Sequence, residues 1–318
     1  MYGTEYCTIE TVIEKLKTDG VAVIPNIVSL SKIEEYQKQL WKMLYHLTQK
    51  LDKPIKKDDT STYRTLYELF PLHSMLIQHW GVGHSKLVWD IRQEEKVINV
   101  FSQIWDTSPK ELLTSFDGLS VHLPHEITKR GYYRGNDWFH TDQSQLKKDF
   151  CCVQGMVTLY DINEGDATFS CMKKSNNFHS DFFEKHDIKS TGDWYKLTDE
   201  TSPYFDKFEK RSIIAKKGSL ILWDSRTFHQ GVESRRERKI PNMRGVVYVC
   251  MMPRKTSIEK ELKKKRKAFN AKRMTTHWAN KIRLFPKLPR TYGKTIPNIT
   301  MINDDLKLTN IGRKLAGF

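Results

Sequence analysis

Apolar and polar positions along this chain follow two different periods, and the change from one to the other falls near residue 112. Residues 8–18, TIETVIEKLKT, have the spacing of an amphipathic helix and meet a stop at Asp19-Gly20. Val21 to Pro25 then reads as a short strand. Ser31-Lys-Ile-Glu34 has the form of a capping box, in which a hydroxyl and a carboxylate satisfy free amides of the first turn, and a helix is expected from there to about Leu51. Lys53 to Asp59 is polar, contains Pro54 and reads as a loop. Over 86–105, Val88, Ile91, Val97, Val100 and Ile104 fall on one face and predict a further helix. The first 111 residues are therefore expected to be mainly helical.

Beyond that point the period shortens towards two. Leu112 to Leu123 reads as one or two strands, Phe150 to Tyr160 as another, and Ala167 to Met172 as a third. Ser212–Ala215, Ser219–Trp223 and Gly245–Met252 give three further strand signals. Helical spacing returns at Thr256, where Thr256-Ser-Ile-Glu259 forms a second capping-box pattern. Helices, then a β core, then a helical tail support one elaborated α+β domain, mainly β in its core. The expected boundaries are 1–253 for that domain, helical over residues 1–111 and β over residues 112–253. A C-terminal extension, 254–318, is expected to pack on it.

Composition and charge narrow the classes. With 38% apolar, 29% charged and 11% aromatic residues among 318, the chain can bury a core, which argues against global disorder. No apolar run reaches the length of a membrane span, and the N-terminus lacks the pattern of a signal peptide. Five cysteines without CxxC spacing argue against a disulfide framework and a zinc ribbon, and imply a reducing, intracellular and cytoplasmic setting. Between Arg254 and Lys294, 15 Lys and Arg face only Glu259 and Glu261, which accounts for +13 of the net +15. The positive charge is thus an appended basic segment and not a property of the whole surface.

Two copies of HxD compete as candidate chemistry, WFHTDQS at Trp138–Ser144 and FHSD at Phe178–Asp181. About one such string is expected by chance, so context must separate them. In an extended segment residues i and i+2 point the same way, whereas on a helix they diverge. His140 and Asp142 sit between a glycine-bearing loop and a strand, so both side chains can reach one ion. His179 and Asp181 precede FFEKH, which reads as helical, and His179 is expected to be a surface or helix-start residue. A further histidine, His229, follows the strand ending at Trp223. Two histidines and one carboxylate that leave positions open form the ligand set of non-haem Fe(II) oxygenases. A 2-oxoglutarate cosubstrate would need a planar, two-pronged cation for its distal carboxylate, and Arg244, which opens the next strand, is placed for it. Arg238 and Lys239 are nearer in sequence but fall in ESRRERKIPN, which reads as a solvated turn.

These residues resemble the phytanoyl-CoA dioxygenase-like family of Fe(II)/2-oxoglutarate-dependent oxygenases. The likeness spans roughly residues 8–253. It is carried by DGVAVIPNIVS, SFDGLSVHLP, WFHTDQS, CVQGMVTLYDINEGDATFSCMKKSNNFH, KKGSLILWDSRTFHQGV and RGVVYVCM. Lys174-Ser175-Asn176 departs from the family's Gly-Ser-His at that place. The resemblance implies a double-stranded β-helix, a jelly-roll or cupin-like barrel. It implies Fe(II) on His140, Asp142 and His229, and 2-oxoglutarate on Arg244, with O2 as the third reactant. The reaction implied is hydroxylation of a C–H bond with release of succinate and CO2. Gln154 shares strand parity with Met156 and Thr158, which places it either near the cosubstrate or against backbone groups. Asp142 favours hydroxylation over halogenation, since related halogenases carry a small residue there.

The substrate is left open. A second arginine characteristic of nucleobase demethylases with this barrel would fall at Cys250. Lys239 stands where prolyl-type protein hydroxylases often carry a lysine. A small-molecule or acyl-thioester substrate follows from family analogy alone. KELKKKRKAFNAKR at 260–273 is either a solvated helix face docked through Ile258, Leu262 and Phe269, or a surface for nucleic acid or another acidic partner. A barrel that binds such a partner without catalysis is the rival of a different class.

Overall fold

The segments of period two pair into two six-stranded sheets, and the helices cover the outer face of one of them. The computed structural model describes residues 1–189 and 192–318. In chain order, the strand Tyr2–Gly3 (β1) and helix Val12–Asp19 (α1) lead to Val21–Ile24 (β2) and the helix Leu30–Thr48 (α2). Leu76–Ile77 (β3) is followed by the helices Lys86–Arg92 (α3) and Glu95–Ile104 (α4). Leu112–Thr114 (β4), Leu119–His122 (β5), the single turn His125–Thr128 (α5), His140–Thr141 (β6), Val153–Thr158 (β7) and Thr168–Met172 (β8) come next. Helix His179–Lys185 (α6) separates these from Tyr195–Lys196 (β9), Lys210–Ile213 (β10), Leu220–Asp224 (β11), His229–Val232 (β12), Arg244–Val249 (β13) and Met251–Pro253 (β14). Glu259–Asn270 (α7) and Asn310–Leu315 (α8) lie in the basic extension.

The first sheet runs β1-β10-β8-β12-β6-β9 and the second β2-β11-β7-β13-β5-β3, while β14 and β4 form a separate pair. All pairings are antiparallel except β1 with β10. Consecutive strands β11, β12 and β13 alternate between the two sheets, the path of a double-stranded β-helix, here as two facing sheets that do not close on each other. Side-chain parity sorts the core into two layers. Val153 and Val157 of β7, Leu220 and Leu222 of β11, and Val247 and Val249 of β13 face outward, under Leu40 and Leu44 of α2, Ile91 of α3 and Phe101 of α4. Met156, Ile221, Trp223 and Val246 face inward against Phe169, Cys171 and Ile213 of the first sheet. Gln154 and Arg244 share that inward parity.

Several boundaries differ from the sequence expectation. Helix α2 starts at Leu30 after an extended Ser29, so Ser31 lies inside the first turn and its hydroxyl meets that of Ser29 (3.2 Å) instead of capping. At the second capping-box pattern, Ile258 holds the N-cap position, and the Thr256 hydroxyl donates to the Pro253 carbonyl (2.7 Å). The helix expected over 86–105 is two helices, because Gln93 closes the first and Glu94 is extended (φ −61°, ψ 120°). That break lets Glu94 reach Lys32 of α2 (2.7 Å). The strand expected over 245–252 divides at Cys250, after which Met251–Pro253 pairs with β4. All five cysteines are free.

Gly20 is required where it stands. It ends α1 in the left-handed region (φ 78°), and a Cβ there would lie 2.5 Å from the Thr227 hydroxyl.

Arg238 is not the solvated residue expected of its charged turn. Its side chain is 1% exposed and binds Glu126 through two nitrogens (2.7 and 2.8 Å) and Asp166 through a third (2.8 Å). Truncation would leave the buried Asp166 carboxylate without its cation, whereas Glu126 can turn to solvent, so Arg238→Ala is expected to cost about 3 kcal/mol of folding stability. Urea or thermal denaturation reads this as a lowered midpoint.

The extension 254–318 runs back over the domain. The Phe116 amide donates to Thr275 Oγ1 (2.9 Å), Thr300 donates to the Leu47 carbonyl (2.9 Å), and Ile302 donates to the Trp80 carbonyl (2.9 Å). Of the side chains expected to dock α7, Leu262 and Phe269 are half-buried, but Ile258 is 64% exposed. The buried face instead carries Lys265, which donates to the carbonyls of Thr114 and Ala279 and lies over the Phe116 ring. Burial drives its pKa well down. No described helix is long and apolar enough to cross a membrane.

Candidate metal centre and active-site cavity

Strand pairing brings the distant histidines together. His229 on β12 is the direct antiparallel partner of His140 on β6, with imidazole centroids 4.3 Å apart. Asp142 follows β6, held by its amide on the Ser225 carbonyl (3.1 Å). Its Oδ1 lies 3.8 Å from His140 Nε2 and its Oδ2 lies 3.4 Å from His229 Nε2. One ligand atom from each of the three lies within 4.8 Å of the others, so a single ion can be held among them. Both rings are oriented from behind. His140 Nδ1 donates to the Trp138 carbonyl (3.4 Å) and His229 Nδ1 to that of Thr227 (2.9 Å), which leaves each Nε2 as the inward lone pair.

Charge states suit a cation. Burial, with help from neighbouring His229, pushes the His140 pKa down to about 3, so its imidazole is neutral near neutral pH. Burial alone would raise Asp142, but in the absence of a metal the two imidazoles, when they carry a proton on Nε2, hold its carboxyl below the usual range, and a bound cation would take the place of those protons. A neutral His140 and an ionised Asp142 are the protonation states a divalent metal needs of these two groups. Gln154 donates from Nε2 to Asp142 Oδ2 (2.9 Å) and lies 3.3 Å from Ser225 Oγ. It therefore contacts the carboxylate directly, which the sequence pattern did not foresee.

His179 is elsewhere. It starts α6 as expected but is only 1% exposed, not on the surface, and donates from Nε2 to the Gln143 carbonyl (2.8 Å). It belongs to no described metal-ligand cluster.

The three residues open onto a cavity of about 420 Å³. Arg244 lines it from β13, 3% exposed. Its guanidinium donates to Ser120 Oγ and touches Met156 Sδ (3.4 Å) and Met75 Sδ (3.9 Å), while Nε has no acceptor. Among the described residues no carboxylate pairs with it. A buried cation whose side-chain neighbours are two thioethers and one hydroxyl has the charge and the free donors to suit an anion. Arg238 is committed to its own two acids, and Lys239 is exposed and outside the cavity lining.

Sequence reasoning missed most of the remaining wall. Trp138 stacks between His73 (3.9 Å) and His140 (4.6 Å). Trp194, Trp223 and Tyr248 add aromatic surface, and Asp117 contributes a buried carboxylate. The basic extension closes one side with His277, Trp278, Arg283 and Phe285. A bridge between Thr275 and Leu284 folds this stretch back on itself. Asp193 anchors it, binding Arg283 (3.4 Å) and Lys147 (2.6 Å), and Lys147 in turn covers the Trp278 ring. The part of this wall that comes from the extension lies in TTHWANKIRLFPKLPRTYG, whose aromatics have no helical or strand period.

Comparison with known proteins agrees with this geometry. The family model for phytanoyl-CoA dioxygenase (PhyH) matches residues 16–240, a span that contains His140, Asp142, Gln154 and His229. Ava biosynthesis cluster protein O of Aspergillus versicolor is 28% identical over 275 residues, covering 83% of this chain and 84% of that protein. Among solved structures, the hypothetical protein JW0805 of Escherichia coli superposes with a TM-score of 0.63 at 12% identity, over 99% of this chain and 86% of that one. The GIG2 protein of Candida albicans (GlcNAc Inducible Gene 2, DUF1479) gives 0.56 at 14% identity, over 84% and 70%. The two structures share the fold, and JW0805 extends the likeness through the C-terminal extension. With the match covering most of the domain and the ligand cluster at the cavity floor, the chain belongs to the phytanoyl-CoA dioxygenase family of non-haem Fe(II)- and 2-oxoglutarate-dependent oxygenases.

Proposed function

We propose that this protein hydroxylates a C–H bond of a small molecule, with 2-oxoglutarate consumed to succinate and CO2. His140, Asp142 and His229 would hold Fe(II), and Arg244 the distal carboxylate of 2-oxoglutarate. The observation that carries the reading is the pairing, in one cavity, of the His140–Asp142–His229 cluster with a buried guanidinium lacking a carboxylate. Bound Fe(II) would supply O2 activation, with 2-oxoglutarate as the source of two electrons. The chain's own role is positional. Carbonyls of Trp138 and Thr227 fix the imidazoles, Arg244 sets the tilt of the cosubstrate, and the aromatic wall keeps water from the reacting atoms. A relative named for a biosynthesis cluster supports a small-molecule substrate.

Lys239, exposed and outside the cavity lining, gives the prolyl-type alternative no residue in the cavity. The test of the main reading is succinate formation from 2-oxoglutarate by the purified protein with Fe(II) and ascorbate in air. No succinate above the metal-free control would overturn it.

Gln154 is assigned as a positioning residue. By donating to Oδ2 it fixes the Asp142 carboxylate with Oδ1 nearest His140 Nε2 and Oδ2 nearest His229 Nε2. Gln154→Ala is expected to weaken metal binding by roughly 10–100-fold, the usual effect of removing an outer-shell partner. Titration with Co(II), followed by its visible absorption, reads this without turnover.

A further inference from the structure

Asp117 is the one acid in the cavity that neither the metal cluster nor an ion pair occupies. It lines the cavity from the segment between β4 and β5 and is 8% exposed. Its Oδ1 accepts the Gly118 amide (2.9 Å), and among the described residues Oδ2 has no recorded partner. The nearby buried Arg92 does not neutralise it by contact. That guanidinium donates to the backbone carbonyls of Gly83 (2.7 Å) and Asp117 (2.8 Å), and no Arg92 nitrogen pairs with the Asp117 carboxylate. Burial pushes the Asp117 carboxyl up to about 6, an effect that the Gly118 amide and the nearby charge of Arg92 offset only in part. By contrast Asp193, the other acid of the wall, is held by Lys147 and Arg283.

Much of the remaining wall is aromatic, with Trp138, Trp194, Trp223, Tyr248, Trp278 and Phe285 beside aliphatic Leu72, Met75 and Leu76, and the charge of Arg283 is taken up by Asp193. The faces of such rings attract cations, most strongly where water is excluded. An unpaired carboxylate among ring faces is thus complementary to a positive charge on an otherwise apolar molecule, and repels an anion. Arg244 does not change this balance, because its charge is taken up by the cosubstrate.

Resting on the oxygenase reading above, we propose that the prime substrate is a compact aromatic or polycyclic molecule bearing a basic nitrogen, whose ammonium or guanidinium group pairs with Asp117. A cavity of about 420 Å³ shared with 2-oxoglutarate limits its size. A coenzyme A thioester, with its phosphates, is the opposite in both charge and bulk.

The test uses three probes of nearly equal shape: 2-phenylethylamine, 3-phenylpropionate and 2-phenylethanol. Binding to the full chain loaded with Mn(II) and 2-oxoglutarate is followed by calorimetry and by tryptophan fluorescence. The amine is expected to bind at least 10-fold more tightly than the carboxylate or the alcohol. Asp117→Asn, checked for folding by circular dichroism, should reduce the amine to the affinity of the alcohol. Equal binding of the three, tighter binding of the carboxylate, absence of binding, or an amine preference that survives Asp117→Asn would each overturn the proposal. Should Asp117→Asn fail to fold, Asp117→Ser takes its place with the same expected loss, and an equal or reversed ranking on the unsubstituted protein overturns the proposal in either case. An amine preference lost in Asp117→Asn, in a protein that makes no succinate, would uphold this inference and sink the oxygenase reading alone.

Discussion

Asp142→Ala should lower the affinity for a divalent metal by at least 100-fold and succinate formation by about 1000-fold or more. The expectation rests on charge. Among the three proposed ligands only Asp142 can carry negative charge, since an imidazole is at most neutral as a ligand. Without it, a dication would sit in a buried site with no protein charge against it, a loss on the order of 3–5 kcal/mol. His140→Ala removes a neutral donor and opens a gap beside Trp138, and is expected to act in the same direction. His179→Ala serves as the control, since that histidine stands in the other HxD string but bonds to the Gln143 carbonyl. It should leave metal affinity unchanged. Co(II) titration and succinate measurement read all three variants. Turnover that survives both Asp142→Ala and His140→Ala would remove the assignment.

Arg244→Gln should raise the KM for 2-oxoglutarate by roughly 30- to 5000-fold, since losing one partner of a buried charge pair costs about 2–5 kcal/mol. Metal affinity without the cosubstrate should hardly change. Stability supplies a second, opposite signature. In the absence of 2-oxoglutarate the guanidinium has a hydroxyl and two thioethers as side-chain neighbours, so its burial works against folding. The unliganded variant should therefore melt at the same temperature as the parent or higher. Adding 2-oxoglutarate should stabilise the parent much more than the variant, by linkage. An unchanged KM would mean that the cosubstrate is held elsewhere.

How much of this was legible in the sequence depended on the range of the physics involved. Strand segments were readable because alternation is a local property. The inward parity of Gln154, Met156 and Thr158 on β7 is an example. Boundaries were less so. Ser31-Lys-Ile-Glu34 has every residue of a capping box, yet α2 begins earlier because Ser29 is already extended. The break between α3 and α4 has no glycine or proline to announce it. It accompanies the contact of Glu94 with α2, which no local pattern encodes. Arg238 looked like a solvated charge because its neighbours are charged, and only the arrival of Glu126 and Asp166 from other segments buries it.

By itself the sequence determined that His140 and Asp142 could share an ion and His179 and Asp181 could not, because side-chain direction follows from backbone period. It also marked His229 and Arg244 as companions and placed the excess positive charge in the last 65 residues. Tertiary structure alone decided that His229 pairs in register with His140, that Arg244 is buried without a carboxylate, and that Gln154 touches Asp142. It also decided that a stretch of the basic extension is a wall of the cavity, and that Asp117 lines that cavity with no ion pair in contact among the described residues. The reason is the same in each case. A side chain's direction is set by its neighbours in sequence, but its partner is set by which distant segment the packed sheets bring to meet it.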